Sequence, residues 1–283
     1  VLVHGFPFFY YFLSDSSMPF SVSKNIPLWV LAFTFASLAS AQSSDEGEFK
    51  GPDRAREGGR VSLSVSSKVD YSGSDAPRVS VMPALEYQWA NGWFAGTNRG
   101  VGYNFSKDPA LQYGLGLGMD FGRKESATGP LAGMGSIDAK VEYGAFLNYA
   151  PDRNWRLSSV VRYGSGDTGQ GLSANFGANY ALNIAPQWRL DWGVSTNWAN
   201  SQTMQSYFGV SEAQSLQSGN AVYSPGAGLR DVGASLNLSY QVTPKISVSG
   251  SIKATSLVGD ARNSPLATSP QSVSGSLSIG YAF

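Results

Sequence analysis

The residues best equipped for chemistry in this chain are charged side chains set among alternating apolar ones. Arg78, Glu86, Lys140, Glu142, Arg156, Arg162, Arg189, Asp191 and Lys253 all fall on the polar side of a two-residue alternation. Two chemistries are open to such a set. Opposite charges can pair and hydrate one another in a wet interior, and Lys140 and Glu142, on one face of one run, are a candidate pair of that kind. Opposing charges can also line a pore and set a field that selects solutes. General acid–base catalysis by two carboxylates would fall to Glu86 and Glu142 only by default, since nothing in the pattern fixes their separation. Nucleophilic catalysis of the Ser–His type needs a base that takes a proton near neutral pH. The single histidine, His4, lies upstream of the expected mature chain, and there is no cysteine to supply a thiolate or a disulfide. These residues point away from an enzyme and call for no cofactor or metal. Gly164-Ser165-Gly166-Asp167-Thr168-Gly169 matches G-x-G-x-x-G. Dinucleotide binding needs a helix after that motif, whereas QGLSANFGANYAL alternates like a strand, so the motif reads as a loop.

The elements that must position these charges follow a period of two from about Arg60 to the end, the period of a strand with two different faces. In Asp231–Val242 the residues Val232, Ala234, Leu236, Leu238, Tyr240 and Val242 share one face, and Gly233, Ser235, Asn237, Ser239 and Gln241 the other. Similar runs cover 61–69, 79–89, 93–105, 111–122, 137–149, 155–163, 172–182, 188–194, 246–255 and 273–283, with Phe146 the one clear break in its own alternation. Most are about 10–14 residues long, near the 9–11 that a membrane-spanning strand needs and well above the 5–6 of soluble strands. Aromatic residues gather near the run ends (Trp89, Trp93, Tyr103, Phe105, Tyr149, Trp155, Tyr180, Trp188, Trp198, Tyr240, Tyr281), as in the interfacial girdles of barrels. Backbone groups in hydrocarbon must be paired within the protein, so such a sheet must close. Short connections (150–153, 185–186, 243–244) alternate with long ones (124–135, 200–228, 259–271). Eleven long runs are visible, and bacterial single-chain barrels have even strand numbers, so one strand near the N-terminus is missed or fused. The predicted fold is all-β, a transmembrane antiparallel up-and-down barrel of about 12 strands, with 10 as the alternative. Small inward residues such as Gly114, Gly116 and Gly118 could leave space in its lumen. Within the longest loop, Ser211-Glu212-Ala213-Gln214 resembles a capping box and Gly219 could end a two-turn helix.

Composition agrees with this class. Charged residues are 14% of the chain, aromatics 13%, and there are 33 glycines, whereas soluble domains carry about 25% charge. A formal net charge of zero gives no pull toward nucleic acid. Ile26–Leu38 is apolar but too short to span a membrane as a helix. With Lys24 before it and Ala39-Ser40-Ala41 after it, it predicts a secretory signal cleaved after Ala41. The expected organisation is then an over-extended start at 1–17, a signal peptide from Met18 to Ala41, a flexible periplasmic tail at 42–59 and a barrel at 60–283. In the final run Val273, Leu277, Ile279, Tyr281 and Phe283 share one face, and Tyr281 with the terminal Phe283 resembles the signal read by outer-membrane assembly machinery.

Several stretches in order carry a family resemblance: Tyr71-Ser72-Gly73-Ser74-Asp75, Arg99-Gly100-Val101-Gly102-Tyr103, Gly133-Met134-Gly135-Ser136-Ile137-Asp138, Met204–Val210, Tyr223–Gly233 and Leu257–Leu266. Together they resemble the MipA/OmpV family from about Val61 to Phe283. Members usually place a Pro and an acidic residue before the first of these turns, where this chain has Ser67-Lys68-Val69-Asp70. The resemblance implies a protein of the Gram-negative outer membrane, in contact with its lipid and lipopolysaccharide and with the assembly machinery. The family's namesake is described as a scaffold joining a lytic transglycosylase to a murein synthase, which makes a murein hydrolase or synthase the candidate partner here. Other members are linked to osmotic response, permeability and adhesion. The resulting expectation is a non-enzymatic scaffold or interaction protein tied to murein synthesis or envelope stress. The alternative is a channel for small polar solutes. The family supplies no catalytic residues to carry over.

Overall fold

The computed structural model describes residues 57–126 and 128–283. The expected signal sequence, with Ala39 and Ala41, lies outside the described residues, as does the expected tail up to residue 56. Twelve antiparallel strands close into one barrel. They are β1 (Gly58–Val69), β2 (Pro77–Gln88), β3 (Trp93–Gly96), β4 (Gly100–Asn104), β5 (Leu111–Asp120), β6 (Lys140–Tyr149), β7 (Trp155–Ser165), β8 (Gly171–Ala185), β9 (Trp188–Ala199), β10 (Gly228–Gln241), β11 (Ile246–Leu257) and β12 (Gln271–Ala282). Each pairs with its neighbours in sequence, and β12 returns to β1 from Arg60↔Ala282 to Ser67↔Gly275. Gly58 and Gly59, expected in the tail, open β1.

The alternation read from sequence becomes the two faces of the wall. Val61, Leu63 and Val65 of β1 face outward, as do Val79 and Val81 of β2 and Leu277 and Ile279 of β12. Val79 is 69% exposed and Leu277 68%. A contiguous apolar face of this kind aggregates in water and is required in lipid. Among the described residues no helix is long and apolar enough to cross a membrane; the crossing is made by strands.

The twelfth strand was hidden in the run 93–105, which folds as the hairpin β3–β4 around residues 97–99. Gly100 sits at φ +71°, and a side chain there would meet the Leu117 carbonyl, so the chain reverses at the point where only glycine fits. The run at 137–149 begins three residues late. Ile137 leaves the sheet, bridges to Arg123 and is buried.

The turns 89–92, 105–110, 150–154, 186–187 and 242–245 lie at one end of the barrel, the short-turn end, and the aromatic residues crowd there; the β3–β4 turn 97–99 points to the other end. Ring contacts link Tyr87 to Trp89 (4.9 Å), Trp93 to Tyr103 (5.4 Å), Tyr103 to Phe105 (5.3 Å), Trp155 to Tyr180 (5.2 Å) and Trp188 to Tyr240 (4.7 Å). Phe283 lies in this belt, 6.2 Å from Tyr87, and exchanges backbone hydrogen bonds with Gly59. The other end carries loops 70–76, 121–139, 166–170, 200–227 and 258–270. They contain three short helices: α1 (Ser201–Phe208), α2 (Glu212–Ser218) and α3 (Gly259–Arg262). Asn200 caps α1 by accepting from the Thr203 N–H, and Ser211 with Gln214 forms the capping box of α2, which Gly219 ends at φ +77°.

Candidate functional site

Four of the long loops pack into a cap with its own apolar core. Met204 and Phe208, one turn apart on α1, are buried against Ala199, Leu257 and Ala261. A second cluster joins Leu131 and Met134 of loop 121–139 to Val210 and Leu266, with Tyr71 and Tyr223 against it. Fully burying side chains of this size is worth about 1.5–3 kcal/mol each, so the cap is a packed layer. Polar contacts lock the loops in register. The Gln214 side chain donates to the Met134 carbonyl (2.7 Å), Asn220 to Pro130 (2.9 Å), Ser264 to Phe208 (2.6 Å) and Tyr223 to Asp260 (2.8 Å).

Asp120, at the inner rim where β5 ends, ties the cap to the wall. Its carboxylate accepts from the Tyr207 hydroxyl at 2.6 and 2.5 Å and from the backbone N–H groups of Gly122 (2.9 Å) and Gly166 (3.0 Å). Burial first, then the Asp120 charge and hydrogen bond, push the Tyr207 phenol far above its ordinary range, so it stays a neutral donor. Arg123 donates to the Tyr207 carbonyl at 2.9 Å, and burial pulls its guanidinium below the usual value. Neither Asp120 nor Tyr207 stood out in the sequence. Asp120 ends a Gly-rich run as an ordinary polar partner, and Tyr207 sits in a loop without a period.

The lumen beneath the cap has two unlike halves. Along β3–β7 it is filled. Phe146, the residue that breaks the alternation of its run, points inward and meets Phe94 edge-on at 5.8 Å, with Val160 beside them. A side chain at Gly114 would lie 2.7 Å from the Phe146 ring, and one at Gly102 2.5 Å from Phe94. The sequence suggested that Gly114 could leave lumen space; the room it leaves is instead taken by an aromatic plug. Along β1, β2, β11 and β12 the wall is lined with hydroxyls. Ser66–Ser80 (2.9 Å), Ser249–Ser278 (2.7 Å) and Ser251–Ser276 (2.8 Å) bond across strands.

The charged residues are distributed around this interior in separate pairs. Glu142 and Arg162 stand 3.8 Å apart with both side chains buried. At that distance they form an ion pair without a hydrogen bond between those atoms. Glu86 pairs with Arg99 at 3.1 Å, a partner supplied by the β3–β4 turn. Arg189 and Asp191 pair along β9 at 3.0 Å, half-exposed near the short-turn end. Arg78 pairs with Asp70 at 3.0 Å, and Arg156, near the short-turn end of β7, is exposed. The shared face suggested that Lys140 pairs with Glu142, but the lysine turns elsewhere. It reaches the carbonyls of Gly166 (2.8 Å) and Asp167 in the neighbouring loop, because β6 starts at Lys140 and its side chain lies at the rim. Glu86 and Glu142 each stand beside an arginine, Arg99 and Arg162. The G-x-G-x-x-G segment is the β7–β8 turn, with no helix after it.

No curated protein matches the chain. Among solved structures it is similar to the NanC porin, with 14% identity, 78% of this chain and 98% of that chain covered, and a TM-score of 0.44. It is also similar to the KdgM porin, with 7% identity, 79% and 99% covered, and a TM-score of 0.44. The outer membrane channel DcaP of Acinetobacter baumannii gives 10% identity, 81% and 96% covered, and a TM-score of 0.37. Residues 61–283 match the family described as MltA-interacting protein MipA. That match runs from the fourth residue of β1 to the last aromatic residue, and the chain is an outer-membrane barrel protein that belongs to the MipA family.

Proposed function

We propose that this protein is a non-enzymatic interaction protein of the Gram-negative outer membrane that docks murein-directed enzymes through its short turns and N-terminal tail. The observation that supports this reading is the packed cap together with the aromatic cluster of Phe94 and Phe146, which fill part of the barrel and favour its surfaces as the place for recognition. The family name supplies the class of partner, a lytic transglycosylase acting on murein. The test is a binding measurement between the purified barrel in detergent and the lytic transglycosylase and murein synthase of the same cell. Saturable association with either supports the reading, and loss of it on mutating turns 150–154 and 242–245 locates the surface. Absence of association with both overturns it.

A second reading, a channel for small polar solutes, is favoured by one observation: the hydroxyl-lined wall of β1, β2, β11 and β12. Planar-bilayer recording decides it, since a barrel without conductance steps is no channel.

A further inference from the structure

The wall of the barrel is uneven in height. β3 has four residues and β4 five, between β2 with twelve and β5 with ten. A strand that crosses the apolar band needs about 9–11 residues, so the hairpin β3–β4 rises from the aromatic belt and stops partway. Its ladder with β2 is confined to Glu86–Gln88. The ladder is finished off by Thr97, whose N–H donates to the Leu85 carbonyl at 2.9 Å and whose hydroxyl accepts from the Leu85 N–H at 3.1 Å. On the other side β4 pairs with β5 no higher than Val101↔Leu117. Above that line, among the described residues, no strand stands between β2 from Pro77 to Ala84 and β5 from Gly118 to Asp120. Three strand spacings separate β2 from β5 across the hairpin, so the notch above it is about 14 Å from strand axis to strand axis.

The open edge of β2 has a definite chemistry. Gly59 and Phe283 exchange backbone bonds, so odd residues of β1 face β12 and even ones face β2. The even residues of β2 bond to β1 in turn, and Pro77, Val79, Val81 and Pro83 direct their backbone groups into the notch. Four carbonyls stand there against two N–H groups, because proline has none. Prolines in this row keep a further strand from laddering onto it, which disfavours a second copy of the chain as the occupant. Backbone acceptors at hydrocarbon depth nevertheless call for a donor. Outside the notch Val79 and Val81 present apolar side chains to lipid. Inside, at its foot, Glu86 and Arg99 pair at 3.1 Å, and Gly96 leaves room for the Glu86 side chain. The fitting occupant is apolar on the outer side and rich in donors on the inner side.

We propose that the notch between β2 and β5 is a lateral binding site for a membrane lipid whose head carries hydroxyl or ammonium donors. The donors meet the β2 carbonyls at the edge of the lumen, and the chain stays in the bilayer beside Val79 and Val81. The site does not depend on whether the barrel docks murein enzymes or conducts solutes. The chain has no cysteine, so Val81→Cys takes a single fluorophore. Leu277→Cys is the control: Val65 pairs with Val81 on one side and with Leu277 on the other, and Leu277 lies in fully laddered wall. Each labelled barrel, reconstituted in phosphatidylcholine vesicles, is quenched with chain-brominated monoacylglycerol, with the matching alkylamine and with the acyl methyl ester, which has no donor. At least one donor-bearing probe is expected to quench at Val81 saturably and at a mole fraction about threefold or more below that needed at Leu277, while the ester quenches both alike. The more effective probe names the donor. If the Val81→Cys barrel is not heat-modifiable, Val79→Cys takes its place. Equal quenching at the two positions by both donor-bearing probes overturns the proposal. So does an ester that shows the same preference, or a Val81 label that no probe reaches because a second barrel or another segment fills the notch.

Discussion

The ion pairs inside the barrel differ in what they cost to break, and burial decides the difference. Glu142 and Arg162 are 4% and 3% exposed. Removing either partner leaves the other charge in a dry setting, so Glu142→Ala is expected to lose about 3–5 kcal/mol of stability. Arg189 and Asp191 are 46% and 32% exposed, and Arg189→Ala is expected to lose about 0–1 kcal/mol. Urea unfolding in detergent micelles compares the two, and equal losses would show that the lumen around Glu142 is wet. Tyr207 adds a pH dependence. Its phenol is raised above the ordinary 10.0 by burial, then by Asp120, with Glu142 adding and Arg123 opposing. Tyr71 and Tyr223, in the same cap, are also raised, with burial the leading cause. A phenol raised in the closed state stabilises closure while protonated. That contribution is whole below pH 10 and falls as pH climbs past the ordinary value of 10.0. Proteolysis within loop 200–227 is expected to accelerate above about pH 10, and Tyr207→Phe to flatten the rise. A cleavage rate that stays level into that range removes the phenols from the closure. None of this was legible beforehand, because Asp120 and Tyr207 are far apart in sequence and meet only when the loop folds back over the rim.

At the level of elements, the strands were legible and the loops were not. Period-two alternation is set by each strand's own two environments, so it survives in the linear chain. The exceptions have local causes. The hairpin β3–β4 was read as a single run because its turn at 97–99 is short and apolar residues resume at once at Val101. Helix α2 announced itself through Ser211 and Gln214. Helix α1 did not, since its apolar content is concentrated in Met204, Tyr207 and Phe208, and its purpose is tertiary. Phe208 is the strongest lever on that helix. Phe208→Ala empties a fully buried site and is expected to destabilise the cap by about 3–5 kcal/mol while leaving the wall intact. Amide exchange should then rise in loops 200–227 and 258–270 and not in β5–β9. A uniform rise over the barrel would show instead that cap and wall unfold together.

For the whole molecule, the closing pair of strands holds the most consequential aromatic. Phe283 lies against Gly59, where a side chain would strike its ring, and Tyr87 lines the same slot. Deleting Phe283 is expected to lower the fraction of heat-modifiable barrel in the membrane, and Gly59→Val to do the same more weakly by expelling the ring. An unchanged folded fraction in the deletion would remove Phe283 from assembly. The sequence showed this residue's face and position but not the glycine slot opposite, which comes from the first strand, far away in the chain.

Among the described residues the β1–β12 seam is also the only strand pairing that joins distant parts of the chain; the other pairings all join sequence neighbours. Eleven of the pairings are therefore local hairpins with small loop-closure entropy, and one is as non-local as the chain permits. Folding kinetics should reflect that division: fast, nearly independent hairpin formation, then one slow closure that waits on the register of Ser64 against Ser278 and Ser66 against Ser276. Until that closure both edge strands display open hydrogen-bonding groups, so the interval before the seam forms is when this barrel is most exposed to pairing with the wrong partner.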